Sequence, residues 1–287
     1  MNQWKIGDVL VTRIVEMEVA GGTKFILPEA TREACLPIGW MQPNFMDSEG
    51  NLIMSIHALI IDTGEKRIIV DTCVGNDKKR NIPSWSNLQT NFLKDLKEAG
   101  YPKESIDLVM CTHLHVDHVG WNTMLVNNEW IPTFSNARYL IAEKEWRYWD
   151  ANEDEDLYGP VIADSVRPIV DAEMVDFVDD HFRLCKEVSL IPTPGHTPGH
   201  VSVLITSKKK KALITGDFIH HPVQMTKTDW CSSADYDQAQ GQITRETLLE
   251  KYVDRDILII GTHFATPTAG YIKRLEEGGY WLDVSNL

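Results

Sequence analysis

The sequence predicts a four-layer α/β arrangement, two β-sheets packed face to face with helices outside. Three observations predict it. Short apolar runs rich in Val, Ile and Leu recur along the chain and end near Gly, Asp, Thr or Pro. Helical periodicity falls between them. Strands come first, then strands mixed with helices, then the mixture again, an order that suits two packed sheets. At 287 residues the chain is long for an average domain but within reach of one large α/β unit. With no repeat and no long linker, residues 1–287 are read as one domain.

The elements follow in order. Strands are expected over Val9–Ile14, Ile53–Ile61, Arg67–Val70, Leu108–Cys111, Tyr139–Ala142, Val188–Ile191, Val201–Thr206, Ala212–Thr215 and Ile257–Ile260. Asp62-Thr63-Gly64-Glu65-Lys66 separates two apolar runs and reads as a hairpin. Ser207-Lys208-Lys209-Lys210-Lys211 does the same, and its lysines read as a solvated tip rather than a phosphate site. Asn87–Ala99 places Leu88, Phe92, Leu96 and Ala99 on one face and ends at Gly100, so it reads as a helix. Helices are also expected over Gln238–Tyr252, around Glu143–Trp149 and between Tyr158 and Val170.

Composition removes several classes. Hydrophobic residues are 43% and charged residues 24%, the balance of a soluble globular protein. No apolar run approaches the roughly 18 residues of a membrane span. Met1–Asp8 shows no basic stretch followed by an apolar one, so no secretory signal is expected. The net charge of -14 repels phosphate backbones, so neither nucleic acid nor membrane is an expected partner. Cys35, Cys73, Cys111, Cys185 and Cys231 form no CxxC pair, which points to free thiols in a reducing cytoplasm.

The chemistry is concentrated in Thr112-His113-Leu114-His115-Val116-Asp117-His118, which begins where the strand Leu108–Cys111 ends. In an extended segment side chains two apart share a face, so His113 and His115 can bind one ion. Asp117 and His118, past the turn, can point to a second position. Imidazole and carboxylate suit Zn²⁺ and related divalent ions. Three histidines and an aspartate within six residues are not what a core or a solvated face requires. His196, in a Pro/Gly-rigid loop, Asp217 and His263 each follow a further apolar strand. Seven such groups exceed the needs of one tetrahedral zinc and suit two ions with a shared carboxylate.

This set, His-x-His-x-Asp-His at 113–118 followed by His196, Asp217 and His263, resembles the metallo-β-lactamase superfamily over roughly residues 50–265. The resemblance implies an αββα sandwich with the site at one sheet edge. It implies His113, His115 and His196 at one metal, Asp117, His118 and His263 at the other, and Asp217 between them. Asp71 matches an early aspartate that supports the site. No cysteine stands at a ligand position, and position 115 is His rather than Glu, which sets the chain apart from two branches of the family. Gly216-Asp217-Phe218-Ile219-His220 resembles the lactonase and methyl parathion hydrolase side, where a histidine follows the aspartate by three residues. His220 and His221 are read equally as pocket groups and as histidines bonded to loop carbonyls. His57 is read as structural, and His200 at most as a support.

The expected function is a dinuclear-metal hydrolase. A water shared by two divalent ions, Zn²⁺ first and Mn²⁺, Fe²⁺ or Co²⁺ accepted by the same ligands, becomes a hydroxide that opens a lactone or cleaves an ester. Asp117 and Asp217 are the expected catalytic carboxylates, Asp117 in proton transfer and Asp217 in fixing the metal spacing. Thioester, phosphotriester and β-lactam hydrolysis are the alternatives, and a metal-stabilised binding protein is the alternative outside catalysis. The expected partner is a small-molecule ester or lactone, with room left for a homodimer. Trp121, directly after the motif, is expected near the site, and Trp121, Trp146 and Trp149 are read as an apolar wall. Loops around 20–50, 150–175 and 220–235 are expected to shape the substrate pocket.

Overall fold

The apolar runs assemble into two sheets in a computed structural model that describes residues 3–152, 157–285 and 287. The first half supplies β1 (Gln3–Ile6), β2 (Val9–Ala20), β3 (Ile53–Asp62), β4 (Arg67–Val70) and β5 (Leu108–Cys111). A small hairpin follows, β6 (Thr123–Val126) with β7 (Glu129–Pro132), and then β8 (Arg138–Ala142) and β9 (Val175–Val178). Sheet order is β1-β2-β3-β4-β5-β8-β9, antiparallel up to β4 and parallel from β4 to β9. The second half supplies β10 (Val188–Pro192), β11 (Val201–Ser207), β12 (Lys210–Ile214), β13 (Leu258–Ile260), β14 (Ala269–Arg274) and β15 (Tyr280–Asp283), paired in that order.

Period-two alternation produces the layers. Along β5, Met110 enters the apolar cluster between the sheets, while Val109 and Cys111 face the opposite side. Along β13, Leu258 and Ile260 face the same inter-sheet cluster and Ile259 faces away. Helices cover the two outer faces. These are α1 (Arg32–Cys35), α2 (Phe92–Glu98), α3 (Glu143–Ala151), α4 (Arg167–Asp171), α5 (Val223–Thr226) and α6 (Gln238–Tyr252). Phe92 and Leu96 of α2 pack with Val109 and Tyr139 on the first sheet. Leu248, Leu249 and Tyr252 of α6 pack with Leu213 and Ile259 on the second. The fold is therefore the expected four-layer αββα sandwich. Among the described residues no helix is long and apolar enough to cross a membrane.

Several boundaries differ from the sequence reading, each for a local reason. The helix expected from Asn87 starts at Phe92. Asn87 has φ 54° and its N–H goes to the Lys78 carbonyl, so residues before Phe92 form a loop. The helix expected from Tyr158 begins after Pro160, as a π-helical stretch, Ile162–Val166, running into α4. Lys208 and Lys209, with φ of 46° and 69°, form the two-residue turn before β12, which starts earlier than expected. The β6–β7 hairpin was not anticipated, although Asn127-Asn128 between apolar pairs carries the signal; both residues have positive φ. The strands β1, β9, β14 and β15 were also missed. All five cysteines are unpaired.

At one end of the sandwich the sheets are stitched together. The Val201 N–H donates to Thr112 O at 3.0 Å and the Ser55 N–H donates to His263 O at 3.0 Å. These bonds join the ends of β5 and β3 to loops of the second sheet, where the chemistry-bearing residues gather.

Candidate metal centre

Each side chain of the cluster comes from a strand end. His113, His115, Asp117 and His118 follow β5, His196 follows β10, Asp217 follows β12 and His263 follows β13. The structure brings all seven together. Potential ligand atoms of His113, His115 and His196 lie within 4.8 Å of one another, as do those of Asp117, His118 and His263. Asp217 lies between these groups. Its Oδ2 is 3.8 Å from His113 Nε2, 3.5 Å from His196 Nε2, 3.3 Å from His118 Nε2 and 3.2 Å from His263 Nε2.

Hydrogen bonds decide which ring nitrogens are free. His118 Nδ1 donates to Asp71 Oδ2 at 2.9 Å, His263 Nδ1 donates to the Ser55 carbonyl at 3.0 Å and His196 Nδ1 donates to Asp235 Oδ1 at 2.7 Å. The Thr112 hydroxyl donates to Asp71, so its oxygen accepts from His113 Nδ1 at 3.1 Å. All four rings therefore turn Nε2 inward. His118 Nε2 and His263 Nε2 face each other at 3.3 Å, and His115 Nδ1 faces His196 Nε2 at 2.9 Å. His113 Nε2 and Asp217 Oδ1 are buried with no hydrogen-bond partner. Lone pairs and carboxylates converging out of reach of bulk water require positive charge among them. The donor set, imidazole with carboxylate, fits divalent ions of the zinc type.

For His113, His115 and His196 the electrostatics agree. Burial pushes His115 down to about 4 and holds His113 and His196 well below the ordinary imidazole range, leaving them neutral donors. Burial works against protonated His118 and His263 as well, but Asp217, helped by Asp71 and Asp117 at His118 and by Asp117 at His263, outweighs it and raises both. Burial pushes Asp217 upward, yet His263, His118 and His220 together hold it well below the usual carboxylate range.

Supports surround the cluster. Asp71, expected in this role, has φ 56° and spans His118 and Thr112. His200 accepts the Asp217 N–H on Nε2 at 2.7 Å and is held on Nδ1 by Thr193. That approach needs Gly216, whose φ is 56° and where a Cβ would lie 2.5 Å from His200 Nε2. His57 is structural, bonded to Ser55 Oγ and the Gly261 carbonyl. The Asp235 contact to His196 was missed by sequence reasoning, because 39 residues separate the pair.

The two histidines after Asp217 separate cleanly. His221 is bonded on both nitrogens, to the Phe45 carbonyl and the Val223 N–H, and is structural. His220, 1% exposed, has no hydrogen-bond partner on either nitrogen, and its Nε2 lies 3.3 Å from Asp217 Oδ2. His196, Asp217 and His220 form a further grouping of potential ligand atoms.

A cleft of about 480 Å³ opens over the cluster. His115, Asp117, His196, Asp217, His220 and His263 form its floor. Its wall is apolar, drawn from Met17–Ile26, Met54, Ile56, Ile82, Trp85 and Val116, with Tyr158 and Ala234. No Lys or Arg lines it among the described residues. The tryptophan expectation is corrected here. Trp121 stacks on Phe92 at 5.7 Å and donates to Glu16, placing it in the core beneath the site. Trp146 stacks on Phe177, and Trp149 sits against His115 without reaching the cleft. The cleft draws on all three expected loop regions and also on Met54, Ile56, Ile82 and Ser84, which were not anticipated. Of 150–175 it uses Tyr158, and residues 153–156 lie outside the described residues.

The family model of the metallo-beta-lactamase superfamily matches residues 54–263, and the chain belongs to that superfamily. It is 27% identical to an N-acyl homoserine lactonase of Bacillus sp over 180 residues, 58% of this chain and 64% of that protein. It is 29% identical to a probable metallo-hydrolase of Methanocaldococcus jannaschii over 150 residues, 52% of this chain and 50% of that protein. The matches thus span less than two thirds of these relatives. Among solved structures it resembles the hydrolase AbOPH in the beta lactamase superfamily, with a TM-score of 0.80 and 22% identity, over 98% of this chain and 96% of that one. It also resembles AidC, a dizinc quorum-quenching lactonase solved with a product N-hexnoyl-L-homoserine (TM-score 0.78, 22% identity, 99% and 97% covered). At that identity the structures establish the fold.

Proposed function

We propose that this chain is a metal-dependent hydrolase that opens a lactone or cleaves a neutral ester. The observation that carries the reading is a cleft with a histidine–carboxylate floor, an apolar wall and no lining cation among the described residues. Substrates with obligatory negative charges, such as glutathione thioesters and penicillins, would find no fixed counter-charge there. An alkyl or aryl ester or lactone would bury its apolar part against the wall. The N-acyl homoserine lactonases among the relatives support the lactone as first choice.

His113, His115 and His196 would hold one divalent ion, Asp117, His118 and His263 the other, and Asp217 would serve both. The dizinc neighbour supports zinc. When bound, such ions supply Lewis acidity, which activates water and polarises a carbonyl. The chain's own residues do the rest. Asp71, Ser55, Asp235 and Thr112 hold Nδ1 of the four rings and so turn Nε2 toward the centre. Asp117 is the half-buried carboxylate of the floor, placed to take a proton from an entering water and return it to the leaving alcohol. The apolar wall orients the substrate and excludes bulk water. We read residues 1–287 as one domain built around this centre.

The test is kcat/KM on a matched panel: an N-acyl lactone, an aryl ester, a glutathione thioester, a penicillin and an aryl phosphotriester. The lactone or ester should lead. A thioester or penicillin ahead by more than about tenfold, roughly 1.4 kcal/mol in transition-state binding, would overturn the reading. No turnover on any substrate by protein carrying two ions would favour a metal-stabilised binding protein.

A further inference from the structure

The two groups of the centre are braced differently. His118 leans on Asp71 and His263 on the Ser55 carbonyl. In the other group, His196 leans on Asp235 and His113 on Thr112, but the loops carrying the group also meet at Glu145, early in α3. Glu145 is 1% exposed. Its Oε1 accepts from the Leu114 N–H at 3.1 Å and the Trp149 indole at 2.8 Å. Its Oε2 accepts from the Thr197 hydroxyl at 2.7 Å and the Gly199 N–H at 3.0 Å. Leu114 stands between His113 and His115, and Thr197 follows His196, so one carboxylate grips both sides of one ligand group.

Its surroundings suit a carboxylate. Three of the four partners, the Leu114 and Gly199 N–H groups and the Trp149 indole, can only donate, and an ionised carboxylate accepts from all four. Burial raises the carboxyl above its usual range, and the four hydrogen bonds offset only part of that rise. No Lys or Arg pairs with it among the described residues. A carboxylate buried without a counter-cation is costly, yet here it ties together two loops that approach from different sheets. The fit is close: a Cβ at Gly199 would lie 2.2 Å from the Glu145 backbone nitrogen.

We propose that Glu145 is a positioning residue that sets the metal affinity of the His113–His115–His196 position and leaves that of the Asp117–His118–His263 position unchanged. The proposal rests on the dinuclear reading above. Without the clasp, Leu114 and Thr197 are free to move apart, and the three imidazoles lose their preset spacing. Neither Asp71 nor Ser55, which brace His118 and His263, is among the hydrogen-bond partners of Glu145.

The experiment is a Zn²⁺ titration of the full chain against a competing chelator, with Glu145→Gln and Thr197→Val. Glu145→Gln keeps the volume but turns an amide NH₂ toward two of the four donors. Thr197→Val removes one hydroxyl at nearly constant shape, so it decides the matter if the first variant does not fold. In Glu145→Gln one of two dissociation constants should rise about 10- to 100-fold, the range for groups that orient metal ligands, and the other should stay within threefold. The change should be smaller in Thr197→Val. In a His263→Ala background, which disables the other position, the remaining constant should carry the whole change. Excess Zn²⁺ should restore kcat in Glu145→Gln, which a general loss of structure would not allow. Equal weakening of both positions, or no weakening in a folded variant, overturns the proposal. A wild-type chain that binds one ion instead sinks the dinuclear reading; Glu145 is then judged on that ion, and an unchanged constant overturns its role.

Discussion

The floor and the wall of the cleft are built on opposite terms. The floor is polar, sits at the ends of four apolar strands and is held by hydrogen bonds that turn its imidazole nitrogens inward, where His113 Nε2 and both His220 nitrogens have no partner. The wall is apolar, comes from several distant segments and carries exposed side chains such as Phe25, 58% exposed. Floors of this kind set which chemistry happens, because each group has a fixed job at a fixed atom. Walls set which molecule arrives, and many apolar side chains can serve. Damage to the floor should therefore appear in turnover and metal content. Damage to the wall should appear in KM and stability, with the metal retained.

The largest effect expected is at Asp217, the side chain that touches both ligand groups. On the proposed dinuclear reading, Asp217→Asn exchanges a charge for an amide that would hold two cations poorly. It should lower kcat by about 1000-fold or more, roughly 4 kcal/mol, with circular dichroism unchanged. A near-wild-type rate would remove Asp217 from the floor. Chelation should act in the same direction: activity is lost, Tm falls because the ions bind only the folded chain, and added Zn²⁺ restores both.

The floor was legible in the sequence and the wall was not, for a physical reason. His113 to His118 is a local motif of residue types that cores and solvated faces do not call for, and its partners stand at strand ends that apolar runs make visible. Met54, Ile56 and Ile82 look like any core residue in sequence. Their role depends on how the 17–26 and 82–85 segments fold over the floor, which local patterning does not encode. The tryptophans misled for the same reason, since Trp121 is next to the motif in sequence but packs beneath it on Phe92. His220 was half legible: its spacing from Asp217 was visible, but its unpaired nitrogens were not.

The next largest effect belongs to the wall's foundation. Arg80 forms a two-pronged pair with Asp164, at 2.6 and 2.9 Å, and Lys78 lies 3.5 Å from the same carboxylate. All three are buried, and the segment after Arg80 carries Ile82 and Trp85 into the cleft. Asp164→Asn strands two buried cations and should cost about 3–5 kcal/mol in chemical denaturation, with bound metal unchanged. Loss of metal in that variant would show that floor and wall are not independent. The pH dependence sharpens the test. Burial, only partly offset by Asp164, lowers Lys78 from 10.5 to about 7. Between those values the unfolded chain binds more protons at this site, so its contribution makes stability rise with pH from about 7 toward 10.5. Lys78→Met should flatten that rise, and an unaltered slope would place the charge change elsewhere.

Asp235 tests the floor more gently. It accepts from His196 Nδ1 and from the Ser232 N–H, and Ser233 of the same loop bonds the carbonyls of Phe25 and Ile26 in the wall. This loop is thus one direct bridge between floor and wall. Asp235→Asn should weaken metal binding about 10- to 100-fold, since the carboxylate both orients the imidazole and strengthens it as a donor. Ser233→Ala keeps the carboxylate and removes one bond to the wall. It should move KM with little change in metal affinity. Equal shifts of metal affinity in both variants would make the bridge, rather than the charge, the feature that matters.

The smallest effect expected is at the cleft mouth. Phe25 packs edge-on against Tyr158 at 6.4 Å and is otherwise open to solvent, so Phe25→Ala removes little that the fold needs. A substrate with a long alkyl group would cover part of that ring, and burial of apolar surface stabilises by roughly 25 cal/mol per Å². Covering about 40 Å² of ring would be worth roughly 1 kcal/mol, or about a fivefold rise in KM when the ring is removed. A short-chain ester that ends below the mouth should feel nothing, and kcat should stay within about twofold for both. The chain-length contrast is the decisive quantity, since a wall that only excludes water would shift both substrates alike. Equal KM changes for long and short substrates would mean that Phe25 seals the cleft without touching what enters it.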